Sequence, residues 1–284
     1  MKRHGFSRVE LAVALAMAGV IFGLVLPAVH SAQVAGRGKE TINNLKQLAL
    51  ACHSCNDTYK GMPPAFDKFG VMKFPASIYV HLLPYLDQTN VYKMYLREKG
   101  KGMDDLVFRI YVSQDDPSTG KDEGKAVVNF PANLRVFTTK GNRTEYDKNM
   151  PALAAVEPGH PSIPRTFTDG TSNTILFATK YGKCGAGGSR YAAAPNTAFA
   201  PFFGQNAAKV KAHPSDKTAT FQLRPGKTDC CTSPLMAQSF TKDGIQIALA
   251  DGSARTVSAN LTPHTWNAAL QPNDGQVLGR DWED

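Results

Sequence analysis

The sequence predicts an α+β fold, in which a long N-terminal helix is packed on an antiparallel β-rich head with long loops. Three observations predict it. An uncharged run extends from Leu11 to Val29, an amphipathic stripe continues to Tyr59, and residues 60–284 carry short β-forming runs between turn residues. The 284 residues are 42% apolar and 20% charged, a composition that provides enough apolar material for a packed core.

The uncharged run is long enough for a membrane. Its nineteen residues follow a short basic start that reads Met-Lys-Arg-His-Gly. At about 1.5 Å per residue, a helix of this length nearly spans a hydrocarbon core of about 30 Å. We therefore expect residues 6–29 to form a single transmembrane helix.

The residues at the start of this run resemble the processing site of type IV prepilins and pseudopilins. Residues 5–11 read Gly-Phe-Ser-Arg-Val-Glu-Leu. In that family a membrane-bound prepilin peptidase cuts after the glycine and methylates the new N-terminal amine. The resemblance implies that residues 1–5 are a leader, Gly5 the last leader residue, Phe6 the methylated residue and Glu10 the assembly glutamate. Arg8 stands where the family usually has an apolar residue, and its long side chain can reach the headgroups.

Glu10 lies at the edge of the uncharged run. An ionised side chain within a membrane costs about 2.5–3.5 kcal/mol on insertion scales, so it requires a partner or a function. The free amine of Phe6 on a neighbouring subunit is a suitable counter-charge, and cleavage after Gly5 creates that amine. The alternative is a glutamate at the membrane interface without this role.

An ordinary secretory signal peptide is the alternative for the whole segment. Val29-His30-Ser31 is a tolerable cleavage site, and the mature chain would then begin near Ala32. However, the apolar core of such a peptide usually has about 7–15 residues and has no need for Glu10. The prepilin interpretation is favoured.

An amphipathic segment follows the uncharged run. Its apolar residues recur at spacings of three and four, as on one face of a helix: Leu45, Leu48, Cys52, Cys55 and Tyr59. We expect residues 30–59 to continue the first helix and to pack on the head. Gly61, Pro63 and Pro64 end it.

Five cysteines raise the question of redox or metal chemistry. Cys52 and Cys55 form a C-x-x-C pair, which is found in redox and zinc sites, but the sequence has no second pair at matching spacing and both thiols lie on the apolar stripe. We expect them to pack in the core as small hydrophobes. One disulfide among Cys184, Cys230 and Cys231 is possible in an exported head, and the pairing stays open.

Short runs in the head predict strands. They are 127–130, 134–138, 174–178, 245–249 and 255–258. The last two flank Asp251-Gly252, which predicts a hairpin. Asp169, Asp243 and Asp251 each precede glycine and are interpreted as turn formers, with a calcium site as the less favoured alternative.

The head resembles a large bacterial family of unknown function, domain-of-unknown-function family 1559, which joins a prepilin N-terminus to a C-terminal H-x9-D-G motif. The matching stretches span most of the chain: Asn43 to Leu48, Asp57 to Tyr59, Leu82 to Gln88, Asp169 to Ile175, and Ala250 to Ser253. Three positions depart from the family pattern. Thr241 replaces the motif histidine, Val112-Ser113-Gln114-Asp115 replaces Cys-Pro-Ser-Asp, and Thr179 replaces a common glutamate. We expect any polar site formed by those family residues to be lost here.

These features predict a membrane-anchored pilin-like or pseudopilin-like structural subunit of a pilus or type II secretion-like assembly. Its expected partners are prepilin peptidase, membrane lipid and other pilin-like subunits, with the head outside the cytoplasm. The alternative is a membrane-displayed module whose head binds a ligand or polymer through aromatic residues, of which Tyr79, Tyr85, Phe202, Phe203 and Trp266 are candidates.

Other classes of function are less favoured. The sequence has no recognisable catalytic signature of an exported hydrolase, so no catalytic residue, cofactor or metal is predicted. The net charge of +8 is spread along the chain without a run typical of nucleic-acid binding, so no nucleic-acid partner is expected.

Overall fold

The computed structural model describes residues 8–102, 106–118, 127–138, 159–185, 187–189, 201–204, 220–226, 229–231 and 235–283, apart from the side chains of residues 14 and 19–35 in the first helix. The fold is α+β, as predicted. The chain divides into two compact units, Met1–Glu40 and Thr41–Asp284.

The first helix, α1, extends over Arg8–Tyr59. Its end at Tyr59 agrees with the predicted boundary, and Lys60 takes a positive φ of 57° directly after it. Within the unit Thr41–Asp284, Leu45, Leu48 and the two thiols of the predicted stripe are fully buried, so the stripe is confirmed there. Tyr59 is the exception, because 41% of it is exposed. Among the described residues, we find no helix with the length and apolar character needed to cross a bilayer.

The remaining elements belong to the unit Thr41–Asp284. The helices are α2 (Ile78–Leu82), α3 (Thr89–Arg97), α4 (Leu134–Phe137) and α5 (Pro263–Leu270). The strands are β1 (Phe66–Asp67), β2 (Ala76–Ser77), β3 (Ala132–Asn133), β4 (Ile175–Ala178), β5 (Lys183–Cys184), β6 (Gly187–Gly188), β7 (Phe202–Phe203), β8 (Gln222–Leu223), β9 (Gln238–Ser239), β10 (Gly244–Leu249) and β11 (Ala254–Ser258).

The largest sheet of the described residues has the strand order β11-β10-β4-β3-β7. Its longest pair is the predicted hairpin, in which Gly244 lies opposite Ser258 and Ala248 opposite Ala254. The pairs β10–β4 and β3–β4 are also antiparallel. The antiparallel prediction is wrong for β3–β7 and β8–β9, which are parallel pairs of two residues each.

The described residues of this unit form three apolar cores, and the alternation of β10 separates the two larger ones. Ile245, Ile247 and Leu249 belong to the core that contains Trp266 of α5. Ala248 and Ala250 belong to the core that contains the buried stripe of α1. Because successive strand residues point to opposite faces, the large residues of β10 meet α5 and the small alanines meet the core of α1.

The hairpin turn also contacts α1 directly. His53 Nε2 lies 2.8 Å from the carbonyl oxygen of Ala250. Gly252 has a φ of +89°, and a Cβ there would lie 3.2 Å from Leu50 Cδ2. The hairpin turn therefore contacts a helix residue that is 197 positions earlier in the sequence.

Two strand predictions are wrong. Residues 134–137 form α4, because the side chain of Asn133 accepts a hydrogen bond from Arg135 N and caps a helix. The strand at this place is the two-residue β3 just before it. Residues 127–130 show only an isolated bridge at Val127, because the amide of Asn129 bonds to Tyr111 O rather than to a neighbouring strand. The helices α2, α3 and α5 were not predicted.

Candidate functional site

A cavity of about 310 Å³ in the unit Thr41–Asp284 is the candidate functional site. Ten residues between the end of α1 and the end of α3 line it: Tyr59, Phe69, Val71, His81, Pro84, Tyr85, Thr89, Tyr92, Lys93 and Leu96. We call it the aromatic cavity, because tyrosine, phenylalanine and histidine rings supply half of these residues. A volume of this size is at the lower end of the range for small-molecule sites.

The end of α1 supplies the most exposed ring of the cavity. Tyr59 is the last residue of the helix, and its ring lies edge-on to Phe69 with 5.0 Å between the centroids. Gly70 permits this arrangement, because its φ is +58° and a Cβ there would lie 2.8 Å from Tyr59 Cζ. Any larger residue at position 70 would meet the ring as well as a strained backbone.

His81 of α2 lies behind Phe69, with a ring centroid 5.6 Å from it. Its Nε2 lies 2.9 Å from the carbonyl oxygen of Asp67, which means that Nε2 carries the proton and donates. Burial lowers the pKa of His81 to about 4, against the opposing effect of nearby backbone carbonyls. The ring is therefore neutral near pH 7. Within the described part of the chain, its Nδ1 is buried without a hydrogen-bond partner.

Two further tyrosines, Tyr85 and Tyr92, line the cavity. Burial raises the pKa of Tyr92 to about 12, and the neighbouring phenols of Tyr59 and Tyr85 add to this shift. Burial also raises the pKa of Tyr85, whose hydroxyl group interacts with Thr58 and Cys55. Both phenols therefore stay protonated near neutral pH and are able to donate hydrogen bonds.

Helix α3 supplies one side of the cavity through residues at helical spacing. Thr89, Tyr92, Lys93 and Leu96 recur at three and four residues, so they lie on neighbouring faces of α3. Thr89 and Lys93 are exposed, and Tyr92 and Leu96 are half-buried. Lys93 is the only cation among the ten lining residues of the described structure.

The lining combines aromatic rings with a few polar groups. Among these ten described residues, none carries a carboxylate or a thiol. The paired carboxylates of glycosidases and the thiolate of cysteine hydrolases are therefore not available from these ten residues. Aromatic rings that meet edge-on, polar phenol tips, one histidine and one lysine suit the recognition of a ring-shaped ligand.

The predicted processing residues belong to the first ten residues of the chain, and none of them is among the ten lining residues. Gly5 and Phe6 lie outside the described residues. Glu10 is exposed in the first turn of α1, within the unit Met1–Glu40. The flanking apolar side chains are also exposed, from 71% for Val9 to 51% for Val13.

The predicted turn aspartates behave in two different ways. Asp251 accepts a hydrogen bond from Ser253 N at 2.8 Å, which is the expected turn geometry. Asp169 instead accepts from the backbone N–H groups of Asp274 at 2.7 Å and Gly275 at 3.1 Å. Asp169 lies in a turn, as predicted, and its carboxylate also holds the C-terminal segment, which was not predicted. Asp243 precedes β10 in a bend, as expected.

The cysteine predictions are resolved by burial and pairing. Cys52 and Cys55 are free thiols in the core that contains the end of α1. Burial raises the pKa of Cys55 to about 12 and also raises the pKa of Cys52 well above its ordinary value. Protonated buried thiols pack as small hydrophobes, as predicted. Cys184 forms a disulfide with Cys230, which settles the open pairing.

The positions that depart from the family pattern serve local structure. Thr241 makes a turn with Ser239, whose hydroxyl group it contacts through its backbone amide at 3.0 Å. Ser113 Oγ lies 2.7 Å from Thr41 Oγ1 and holds its loop against α1. Thr179 is buried, and within the described residues its hydroxyl group has no hydrogen-bond partner.

Four of the five aromatic candidates are core residues. Tyr79, Phe202, Phe203 and Trp266 are at most 1% exposed, so they are unable to stack on a ligand. Only Tyr85 lines the aromatic cavity. Tyr59, Phe69, His81, Tyr92 and Lys93 were missed, and the helical spacing of residues 89–96 was the signal that would have revealed part of the set.

Comparison with known proteins places the cavity in the matched part of the chain. Residues 30–100 match the family described as "Protein of unknown function (DUF1559)". The match supports the resemblance to family 1559, and it includes all ten lining residues of the aromatic cavity. The prepilin-like residues 5–11 and the C-terminal motif lie outside it. No curated protein and no solved structure matches the chain.

Proposed function

We propose that this protein is a membrane-anchored, pilin-like structural subunit that prepilin peptidase cuts after Gly5. The observation that carries the proposal is the exposed start of α1. Five apolar side chains there are between 51% and 71% exposed: Val9, Leu11, Val13, Leu15 and Met17. Val9 and Leu11 belong to the prepilin-like residues 5–11, and the other three follow directly after them.

A helix with this many exposed apolar side chains is stabilised when another molecule covers them. Burying one large apolar side chain is worth about 1.5–3 kcal/mol, so lipid or a neighbouring subunit would stabilise this part of the helix. Glu10 lies within the same stretch, where the methylated amine of Phe6 on a neighbour would supply the opposite charge. Membrane lipid and other pilin-like subunits are the partners that follow from this chemistry.

The disulfide supports a head outside the cytoplasm. Cys184 and Cys230 are 46 residues apart in sequence and bonded to each other. Disulfides persist in oxidising compartments and are rare in the cytosol. In this proposal the chain is a single-pass protein of the cytoplasmic membrane, within a pilus or type II secretion-like assembly and without catalytic activity of its own.

The N-terminus of the mature protein is the decisive measurement. Mass spectrometry of intact protein from native membranes is expected to find N-methylated Phe6 as the first residue. A mature chain that begins near Ala32 would identify ordinary secretion, and one that retains Met1 would contradict processing altogether.

Assembly is tested separately by a matched pair of variants. Glu10→Ala is expected to reduce chemical cross-linking between subunits in membranes, while Glu40→Ala, an exposed glutamate on the same helix, is expected to leave it unchanged. Equal cross-linking in the two variants and in the wild type would remove the assembly role of Glu10.

A ligand-binding head is the second candidate function, and the aromatic cavity is the observation that favours it. A membrane-displayed module of this kind would present the cavity to molecules outside the cell. This function is compatible with the same anchor.

A further inference from the structure

The aromatic cavity combines rings on several sides with polar groups at their tips. The rings of Tyr59 and Phe69 meet edge-on at 5.0 Å, and His81 closes the set behind Phe69. A flat or puckered ring with apolar faces is the ligand shape that such a lining accommodates. The cavity volume of about 310 Å³ allows one or two rings of that size.

The polar tips indicate what surrounds the ring of the ligand. Tyr59 and Tyr92 supply two phenol groups and Thr89 supplies a third hydroxyl group, whereas the hydroxyl group of Tyr85 interacts with Thr58 and Cys55. A hydroxyl group both donates and accepts hydrogen bonds, so three of them match a ligand whose own edge carries hydroxyl groups. Sugars have this combination of apolar ring faces and hydroxyl-bearing edges.

Charge determines the kind of sugar. Residues 60–101 contain seven lysine or arginine residues and three aspartate or glutamate residues, so this short stretch carries half of the net charge of +8. Lys93 is exposed at the cavity itself, beside Tyr92 on α3. A cation at the rim of an apolar site selects for an anionic group on the ligand.

The geometry points to the aromatic cavity as a binding site for an acidic sugar unit, with its ring against Tyr59 and Phe69 and its carboxylate at Lys93. The ligand would be a uronate residue of an acidic polysaccharide. This inference goes beyond the structural role proposed above and does not depend on it, because the cavity lies entirely within the unit Thr41–Asp284.

Gly70 gives the site a built-in constraint. Its positive φ and its close approach to Tyr59 fix where that ring lies. The lining is thus determined by backbone geometry as well as by side-chain packing, which is the arrangement expected where a binding surface must be held in place.

Calorimetric titration of the full-length protein in detergent tests the assignment. The probe is a tetramer of galacturonate, and its neutral methyl ester is the matched control ligand. We expect saturable binding of one tetramer per chain. Lys93→Gln is expected to weaken it about tenfold, which is the loss of one charge-assisted contact.

The control variant is Lys101→Gln, which removes an exposed lysine of the same stretch that does not line the cavity. It is expected to change the affinity by less than about twofold, because exposed charges at a distance are screened by salt. Circular dichroism of both variants verifies that the fold is intact.

Four results would overturn the inference. They are the lack of saturable binding, an equal loss in the two lysine variants, equal affinity for the neutral ester, and tighter binding of the aromatic anion 4-hydroxyphenylacetate. The last result would assign the cavity to an aromatic ligand instead of a sugar. None of these results bears on cleavage after Gly5, so the two proposals fail independently.

Discussion

His53 of α1 and Ala250 of the hairpin turn are joined by a contact of 2.8 Å between Nε2 and the carbonyl oxygen. The two residues are 197 positions apart in sequence. Gly252, two residues later, lies against Leu50 one turn earlier on the same helix. The Asp-Gly turn therefore serves as a docking point for α1 in addition to reversing the chain.

We expect Gly252→Ala to destabilise the protein more than backbone strain alone explains. A non-glycine residue in the left-handed region costs about 1–2 kcal/mol. The new Cβ would also lie 3.2 Å from Leu50 Cδ2, so the Leu50 side chain must move away from its contact with the turn. Urea unfolding of the full-length protein in detergent measures the loss.

Gly102→Ala is the matched control for this prediction. Gly102 has a φ of +82°, and a Cβ there would meet nothing within 4 Å, so it reports strain without the contact. The double variant Gly252→Ala, Leu50→Ala lacks the contacting side chain. The stability cost of alanine at position 252 is therefore expected to fall, in the Leu50→Ala background, to the cost measured for Gly102→Ala. Equal losses at positions 102 and 252 would show that the helix contact is unimportant.

The carboxylate of Asp169 is expected to anchor the C-terminal segment. In Asp169→Ala the N–H groups of Asp274 and Gly275 lose their acceptor, which is expected to cost about 1–2 kcal/mol for bonds that are exposed to solvent. Faster hydrogen exchange at residues 274–276, with unchanged exchange in β10, is the expected signature. Uniform acceleration over the whole unit would contradict a local anchor.

The neighbouring carboxyl groups of Asp169 and Asp274 also predict a change in the pKa of Asp274. Burial raises the pKa of Asp274, and the neighbouring Asp169 raises it further. Asp169→Asn removes this negative neighbour and keeps an oxygen acceptor, so the pKa of Asp274 is expected to fall toward its ordinary value. Titration of the Asp274 carboxyl by NMR checks the direction, and an unchanged pKa would show that burial alone sets it.

Elements with regular spacing were predictable from the sequence. The stripe of α1 and the alternation of β10 follow the periods of a helix and a strand, and both lie where expected. The strand prediction for residues 134–137 was wrong because Val136 and Phe137 favour strands in isolation. The cap by Asn133 and burial in the core favour a helix turn instead. Short segments of this kind are decided by tertiary contacts.

The candidate site was predictable only in part. Tyr85 was identified as one of five aromatic candidates, but the sequence did not distinguish it from buried residues such as Phe202 and Trp266. Burial is a property of the folded chain. The contact of Tyr59 with Phe69 depends on the conformation of Gly70, which sequence spacing does not reveal. Rings that meet across a turn have no periodic signature.

His81 is expected to make the stability of the protein depend on pH in the acidic range. The ordinary pKa of 6.5 falls to about 4 in the folded chain. Between these values the unfolded chain binds more protons, so the free energy of unfolding rises with pH across this window, by up to about 3 kcal/mol. His81→Gln keeps an N–H donor for Asp67 and does not titrate, so its stability is expected to change less between pH 4 and 6.5.

Urea unfolding at a series of pH values measures this difference. His264→Gln, at an exposed position on α5, is the control and is expected to follow the wild type. Parallel curves for His81→Gln and the wild type would exclude His81 as the source.

Lys180 predicts a second window at alkaline pH. It is fully buried, its Nζ donates to Phe202 O at 3.3 Å, and burial lowers its pKa from 10.5 to about 7. The unfolded chain therefore binds more protons above pH 7, and the free energy of unfolding is expected to rise from pH 7 to about 9.5. Lys180→Met is expected to flatten this rise, because methionine fills a similar space without a charge.

The exposed Lys242→Gln serves as the comparison for this variant and is expected to retain the alkaline rise. Thermal or urea unfolding of the three proteins between pH 7 and 9.5 gives the measurement. A rise that persists in Lys180→Met would assign it to another group.

The residues that line the aromatic cavity come from one short stretch of the sequence, and this has a consequence for how related proteins diverge. All of its lining residues fall between residues 59 and 96, whereas the sheet and the hairpin that closes on α1 come from much later in the chain. Recombination of one short gene segment would therefore exchange the complete lining, together with core residues such as Ile78 and Tyr79, and would leave the five-stranded sheet as it is. Such a chain is able to inherit a new specificity in a single step.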